Sequence, residues 1–453
     1  MQSRRTFLKL LGAGGALSIL GGRGGVAFAE ATRATDDVFV FVHAAGGWDV
    51  TLWSDPRNEK KGLVAPASTE NTDTAQLKRW VDAPLADSSF KTFELVKAPG
   101  NSGAVFGPGI GDVLDLFDRA LVVNGLAMNT VSHPDGSSFS ATGRHLVGGR
   151  PVAASIDTML ANELGKEQLL PVVSVQFPSA FVGDQLDRRV APLVVGNVGS
   201  VSRTLSRSSL YEDEAERDLV TATLTAEAHD LAKKSAYPGV VEGFALQYES
   251  LRRMLGGKMQ DVFSADGLQK AHPDLPFKSR FVGGPAVNVA FAIEAAKRNL
   301  VRCVSFAVGG FDTHGTNYRT HCLLQQETMG LVAQMIKALD ATPHPTRAGA
   351  KLSDHVHVVV LSEFCRTPQI NLGMGRDHYP NNSALVISPK FRGGTVFGKS
   401  DAEQLLPARA KRFADGERPI APPDLLATLL AAFAIDPRKY MRDGEVVREL
   451  LRA

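Results

Sequence analysis

Cysteine is scarce in this chain. Cys303, Cys322 and Cys365 are the whole complement, an odd and sparse set that cannot build a disulfide framework and whose spacing matches no zinc motif. Cys303 and Cys322 are left free to pair in an oxidising compartment, while Cys365 reads as a small buried packing residue rather than a nucleophile. An excess of one charge is also missing, with 50 basic residues against 48 acidic ones. Near neutrality argues against nucleic acid or an anionic membrane as the main partner, because both select clustered positive charge. The N-terminal apolar run, Leu10 to Leu20, is glycine-rich and too short for a bilayer span.

That run belongs to an address. Ser3-Arg4-Arg5-Thr6-Phe7-Leu8-Lys9 is a twin-arginine pattern, and Ala27-Phe28-Ala29 is a small-x-small cleavage site before Glu30. Residues 1–29 therefore read as a removable signal for twin-arginine export to the periplasm, cleaved after Ala29. The competing reading is an uncleaved anchor, against which no cysteine follows to carry a lipid. Removal of the signal leaves 46 basic and 48 acidic residues. The remainder, 30–453, is long enough to bury a large core and is read as a single α/β domain.

Short β-branched runs alternate with helical periodicity along it. Strands are expected at 38–45, 120–124, 171–176, 191–195, 304–308, 356–361 and 383–387, and helices at 75–81, 155–164, 285–299 and 423–435. Apolar residues from Leu324 to Leu339 space a further long helix. Strands buried on both faces, alternating with helices, predict a mostly parallel sheet covered by helices on both sides. Residues 206–283 change to long, charged, helix-forming sequence and read as a helical insertion or cap.

Three strands end alike. VFVFVHAAGGWD brings Asp49, VSFAVGGFDTH brings Asp312 and His314, and VHVVVLSEFCRTPQINLGMGRDHYP brings Glu363, Arg366, Asp377 and His378. Paired glycines permit the bend that turns a chain off a sheet, and ligand crevices in open α/β sheets lie outside the carboxyl ends of the strands. These acids and histidines are thus candidate metal ligands on one rim. Each acid also has an ordinary alternative as a cap of the segment that follows its strand. After the 120–124 strand, Ser132 and His133 bring a further hydroxyl and imidazole, in a loop whose hydroxyls have turn and cap bonds as their usual work. His321 is either a ligand or a partly exposed first-turn residue, and His355 and His357 stand at the wrong end of their strand.

In this order, the twin-arginine leader, GGWD, the SH loop, GGFDTH, SEFCRTP with a following N, RDH, and RGG with VFG resemble the exported bacterial family catalogued as domain of unknown function 1501, over most of the mature chain. That family is similar in fold to the alkaline phosphatase and sulfatase superfamily. The resemblance implies a pair of divalent metals held by Asp and His, with Asp49, Asp312, His314, Glu363 and His378 matching ligand positions and a hydroxyl or modified cysteine as nucleophile. The chain departs from it where Glu363-Phe364 stands in place of Asp-His and where Asp312 and His314 are closely spaced, so one metal is as compatible as two. Superfamily nucleophiles commonly lie nine positions before a Thr-Gly pair, and nine before Thr142 stands His133. His133 is then a ligand or acid-base group, Ser132 attacks in its place, or the loop is structural.

Carboxylates with imidazoles suit Zn, Mn, Mg or Ca, and two ions about 3.5–4 Å apart would clamp the oxygens of an ester displacement. Arg366 would neutralise the ester's charge or pair with Glu363. The leading expectation is a metal-dependent hydrolase of phosphate or sulfate esters, its partners an ester substrate and the twin-arginine export machinery, with no nucleic acid and no stable membrane anchor. The alternative is a periplasmic binding or assembly protein that keeps the fold.

Overall fold

A computed structural model describes residues 35–56, 102–205 and 260–452, less positions 316 and 415, with pieces of 67–100 and 215–234. The leader and the 75–81 helix lie outside the described residues, as does most of 206–283. Of that block, short helices at Gln260–Phe263 and Ala265–Ala271 are described, and they bury Val262, Phe263 and Leu268.

Eight strands form the main sheet: β1 Val38–Ala44, β2 Ala120–Asn124, β3 Leu170–Val175, β4 Leu193–Val195, β5 Val301–Val308, β6 Val356–Leu361, β7 Ser383–Ile387 and β8 Thr395–Phe397. Their order is β8-β2-β7-β6-β1-β5-β3-β4. Every neighbouring pair is parallel except those of β7, which runs antiparallel to both β6 and β2. The carboxyl ends of β1, β2, β5 and β6 therefore share one edge.

Side-chain alternation in β1 divides the core. Val38, Val40, Val42 and Ala44 join one apolar cluster, and Phe39 and Phe41 join the other. The first cluster is covered by α3 (Gly283–Lys297) and α4 (Asn317–Asp340), the second by α2 (Ile156–Leu164) and α5 (Pro422–Ala432). A further helix, α1 (His133–Thr142), stands where the sequence reads as a loop; it carries proline in its first turn and ends at Gly143 with φ 71°, whose N–H bonds Phe139 O. α5 opens on Pro422-Pro423, and Asp424 accepts from Ala421 N at 2.9 Å.

Cys303 and Cys322 do not pair. Cys303 Sγ donates to Asp157 O in α2, whereas Cys322 packs against Leu52 and Leu323, and both are free thiols. Cys365 is fully buried, and burial pushes its thiol pKa well up.

Candidate metal centre

The ends of β1, β5 and β6 are laced together by hydrogen bonds. Ala45 N donates to Val308 O at 2.9 Å, Phe311 N to Ala45 O at 3.2 Å, and Trp48 N to Ser362 Oγ at 3.1 Å. Gly46, at φ 119°, is required there, since a Cβ on it would stand 2.3 Å from Asp312 N. Its own N–H donates to Glu363 Oε1 at 2.6 Å.

Four residues from three segments converge beyond this edge. His314 Nε2, His378 Nε2 and His133 Nε2 lie 3.1, 3.3 and 3.4 Å from one atom, Asp312 Oδ1. His314 Nε2 and His378 Nε2 are 2.9 Å apart. One donor atom from each of His133, Asp312 and His378 lies within 4.8 Å of the others, the spread of a cation site. Asp312 is half exposed, so the centre opens to solvent on that side.

The opposite ring nitrogens say how the imidazoles are protonated. His133 Nδ1 faces Glu363 Oε1 at 2.9 Å, His314 Nδ1 faces Asp377 Oδ1 at 2.7 Å, and His378 Nδ1 faces Val131 O at 2.8 Å. All three partners accept, so each Nδ1 carries the hydrogen. In its neutral form each ring would direct its Nε2 lone pair to the same point. Three convergent lone pairs beside a carboxylate repel one another until a cation lies among them, and nitrogen ligands whose far nitrogen is held by a carboxylate or carbonyl are the usual form of a metal site.

The two carboxylates are held ionised. Burial works to raise the Asp312 pKa, but the Arg366 guanidinium, His378 and His133 outweigh it and hold the carboxyl at about 2. Glu363 is 2 % exposed, and His133 and His43 keep it ionised against its burial. The His133 pKa is raised, first by its hydrogen bond to Glu363.

Not every candidate joins the cluster. Asp49 is fully buried in another network: Oδ1 accepts from Thr51 N at 3.0 Å and Thr51 Oγ1 at 2.7 Å, while Oδ2 takes Asn317 Nδ2 at 3.1 Å and faces Arg376 Nη1 at 3.3 Å. It caps the turn Val50–Leu52. Glu363 and Asp377 reach the centre only through the histidines they hold. Arg366 pairs with Asp312 at 2.6 Å, not with Glu363, and its other bonds go to the carbonyls of Gly46, Gly47 and Arg376. It is fully buried, so it serves to fix Asp312 and the Gly46-Gly47 turn rather than to face a ligand. Ser132 is exposed at the cap of α1, and its N–H donates to Thr130 Oγ1. His321 is fully buried, accepting from Asp49 N at 2.8 Å, where partial exposure was the expectation. His357 and His355 bond Asp37 Oδ1 at 3.2 and 3.3 Å at the opposite sheet edge.

Two contributors carry no weight in the sequence reading. Asn371 donates to Asp377 Oδ1 at 3.0 Å and His314 O at 3.1 Å and accepts from Gly373 N and Gly375 N, which pins the loop under His314; its signal is the spacing Asn-x-Gly-x-Gly. His43, a polar residue in an apolar strand, sits 3.1 Å from Glu363 Oε2.

The family model described as "Protein of unknown function (DUF1501)" matches residues 37–446. No curated protein matches the chain. Among solved structures, the crystal structure of Ps i-CgsB in complex with k-i-k-neocarrahexaose is similar at 10 % identity, covering 90 % of this chain and 74 % of that one, with a TM-score of 0.36. The structure labelled BT33494S-sulf, from a study of glycosaminoglycan metabolism by Bacteroides thetaiotaomicron, is similar at 10 % identity over 87 % and 72 % of the two chains, with a TM-score of 0.30.

Proposed function

Since the chain belongs to DUF1501, a family described only as of unknown function, its chemistry has to be read from its own residues, and we propose a hydrolase of phosphate or sulfate esters that works with one divalent cation held by His133, Asp312, His314 and His378. The observation that carries this is the set of three imidazoles, each fixed at Nδ1 by an acceptor and aimed by Nε2 at one carboxylate oxygen. Nitrogen donors with one carboxylate and no thiolate suit Zn or Mn better than Mg or Ca, which prefer all-oxygen sites. Such a cation supplies Lewis acidity toward an ester oxygen.

The chain's own residues do the rest. Glu363, Asp377 and Val131 O hold the three rings, Arg366 holds Asp312, and the exposed side of Asp312 leaves room for an anionic ester. A single ion is favoured over a pair because the Asp49 carboxylate is spent on Thr51, Asn317 and Arg376. His133 acts as a ligand in this reading, and Ser132 is left without a catalytic task. The proposal extends to export by the twin-arginine leader and to a single mature domain, 30–453, with a helical insertion at 206–283. Among the described residues no helix is long and apolar enough to cross a membrane.

Metal analysis of the purified protein, with p-nitrophenyl phosphate and p-nitrophenyl sulfate as probes, tests the reading. About one equivalent of Zn or Mn is expected, with hydrolysis of one ester, and both should be lost in His314→Ala and His378→Ala. A metal-loaded protein that hydrolyses neither ester would retire the catalytic half and leave a binding protein; unchanged metal content in both variants would retire the site.

A further inference from the structure

We infer that His43 is a positioning residue for the candidate cation site, acting through Glu363 on His133. This rests on the reading of the cluster as a cation site, and it concerns a residue that touches none of the four ligands.

Glu363 is almost fully buried, so each of its oxygens depends on protein donors. Oε1 accepts from Gly46 N at 2.6 Å and from His133 Nδ1 at 2.9 Å. Oε2 faces His43 Nε2 at 3.1 Å and Ser362 Oγ at 3.1 Å. A hydroxyl has a single hydrogen, and Ser362 Oγ lies closer to Ala44 O, at 2.7 Å, while accepting from Trp48 N. With the serine proton committed to Ala44, the imidazole N–H of His43 is the side-chain donor that faces Oε2 among the described residues. That donor keeps the carboxylate ionised and unrotated, and the carboxylate in turn keeps hydrogen on His133 Nδ1 and the lone pair on His133 Nε2.

The cost of this arrangement is visible in the same ring. His43 Nδ1 is buried without a hydrogen-bond partner among the described residues, and the ring stands on the face of β1 shared with Phe39 and Phe41, edge-on to Phe177 with centroids 6.1 Å apart. A residue there for packing alone would be leucine or phenylalanine, which orphan nothing. Burial lowers the His43 pKa, in keeping with a neutral ring whose hydrogen is on Nε2.

The test uses the mature protein stripped of metal by a chelator and titrated with Zn²⁺ or Mn²⁺. His43→Leu should keep the native circular dichroism, yet bind the ion about 10- to 100-fold more weakly, the usual penalty for losing an outer-shell partner. His43→Gln, which returns an N–H near the Nε2 position, should recover most of that affinity. If Leu does not fold, Phe, matched to Phe39 and Phe41, takes its place. Native affinity in the apolar variant, or equal weakening in the apolar and Gln variants, overturns the inference while His378→Ala still abolishes binding. A native protein that binds neither ion overturns the cation-site reading itself.

Discussion

His321 shows how much a single residue's role depends on burial. Its burial, with Arg366 and Arg376 acting in the same direction and Asp49 opposing, lowers its pKa to about 3, so the ring is neutral where it accepts from Asp49 N. An unfolded chain would titrate this group near 6.5 and bind the proton more readily than the folded one. Its contribution to stability is therefore full above about pH 6.5 and is lost as pH falls toward 3. Urea unfolding at pH 7.5 and pH 5 should show a drop in native stability that His321→Gln lessens by on the order of 2 kcal/mol. An identical pH slope in the variant would mean that the group is not buried neutral. Among the rim acids, residue type did not reveal role. Asp49, Asp312, Glu363 and Asp377 all stand past strand ends in carboxylate-rich motifs, yet one caps a turn, one faces the cluster and two hold imidazoles. A side chain's partner depends on its direction, which a strand-end position leaves open.

Element placement depends on close backbone approach. α1 docks on the β6 turn through Gly136, where a Cβ would meet Glu363 O at 2.4 Å and Glu363 Cβ at 3.1 Å. Gly136→Ala should push the helix off and carry His133 with it, at a cost of about 1–3 kcal/mol and with weakened metal binding. Gly284, in α3, has nothing within 4 Å of an added Cβ. Gly284→Ala should be neutral or stabilising, by up to about 1 kcal/mol. Melting curves of the two variants, with and without metal, check the pair, and equal losses would refute the docking argument. Strands 120–124 and 383–387 were legible to the residue, because short β-branched runs bounded by turn residues have few other readings. The antiparallel sense of β7 was not, since a strand buried on both faces has the same apolar pattern in either direction.

At the scale of the molecule, the cation would tie together segments that begin at His133, Asp312 and His378. An ion bound by the folded chain alone stabilises it by about 2.7 kcal/mol at a hundredfold excess over Kd. Metal-stripped protein should therefore melt below the reloaded form, and His314→Ala should melt alike in both conditions. Export is the second expectation at this scale. Replacing Arg4 and Arg5 by Lys should hold the full-length precursor in the cytoplasm, as fractionation and the mass of the product would show; mature protein found in the periplasm would remove the twin-arginine route.

The sequence by itself determined the runs of strands β1 to β7, the helices α2 to α5 that cover them, and the order in which histidines and acids arrive past the strand ends, while β8 and α1 escaped it. Burial and side-chain period act over a few residues and leave a local trace. Only the tertiary structure decided that three Nε2 atoms meet at Asp312, that Glu363 reaches them through His133 across 230 residues of sequence, and that His43 stands behind Glu363. Those are hydrogen bonds between groups far apart in the chain, and their geometry exists only once the sheet brings the strand ends to one edge.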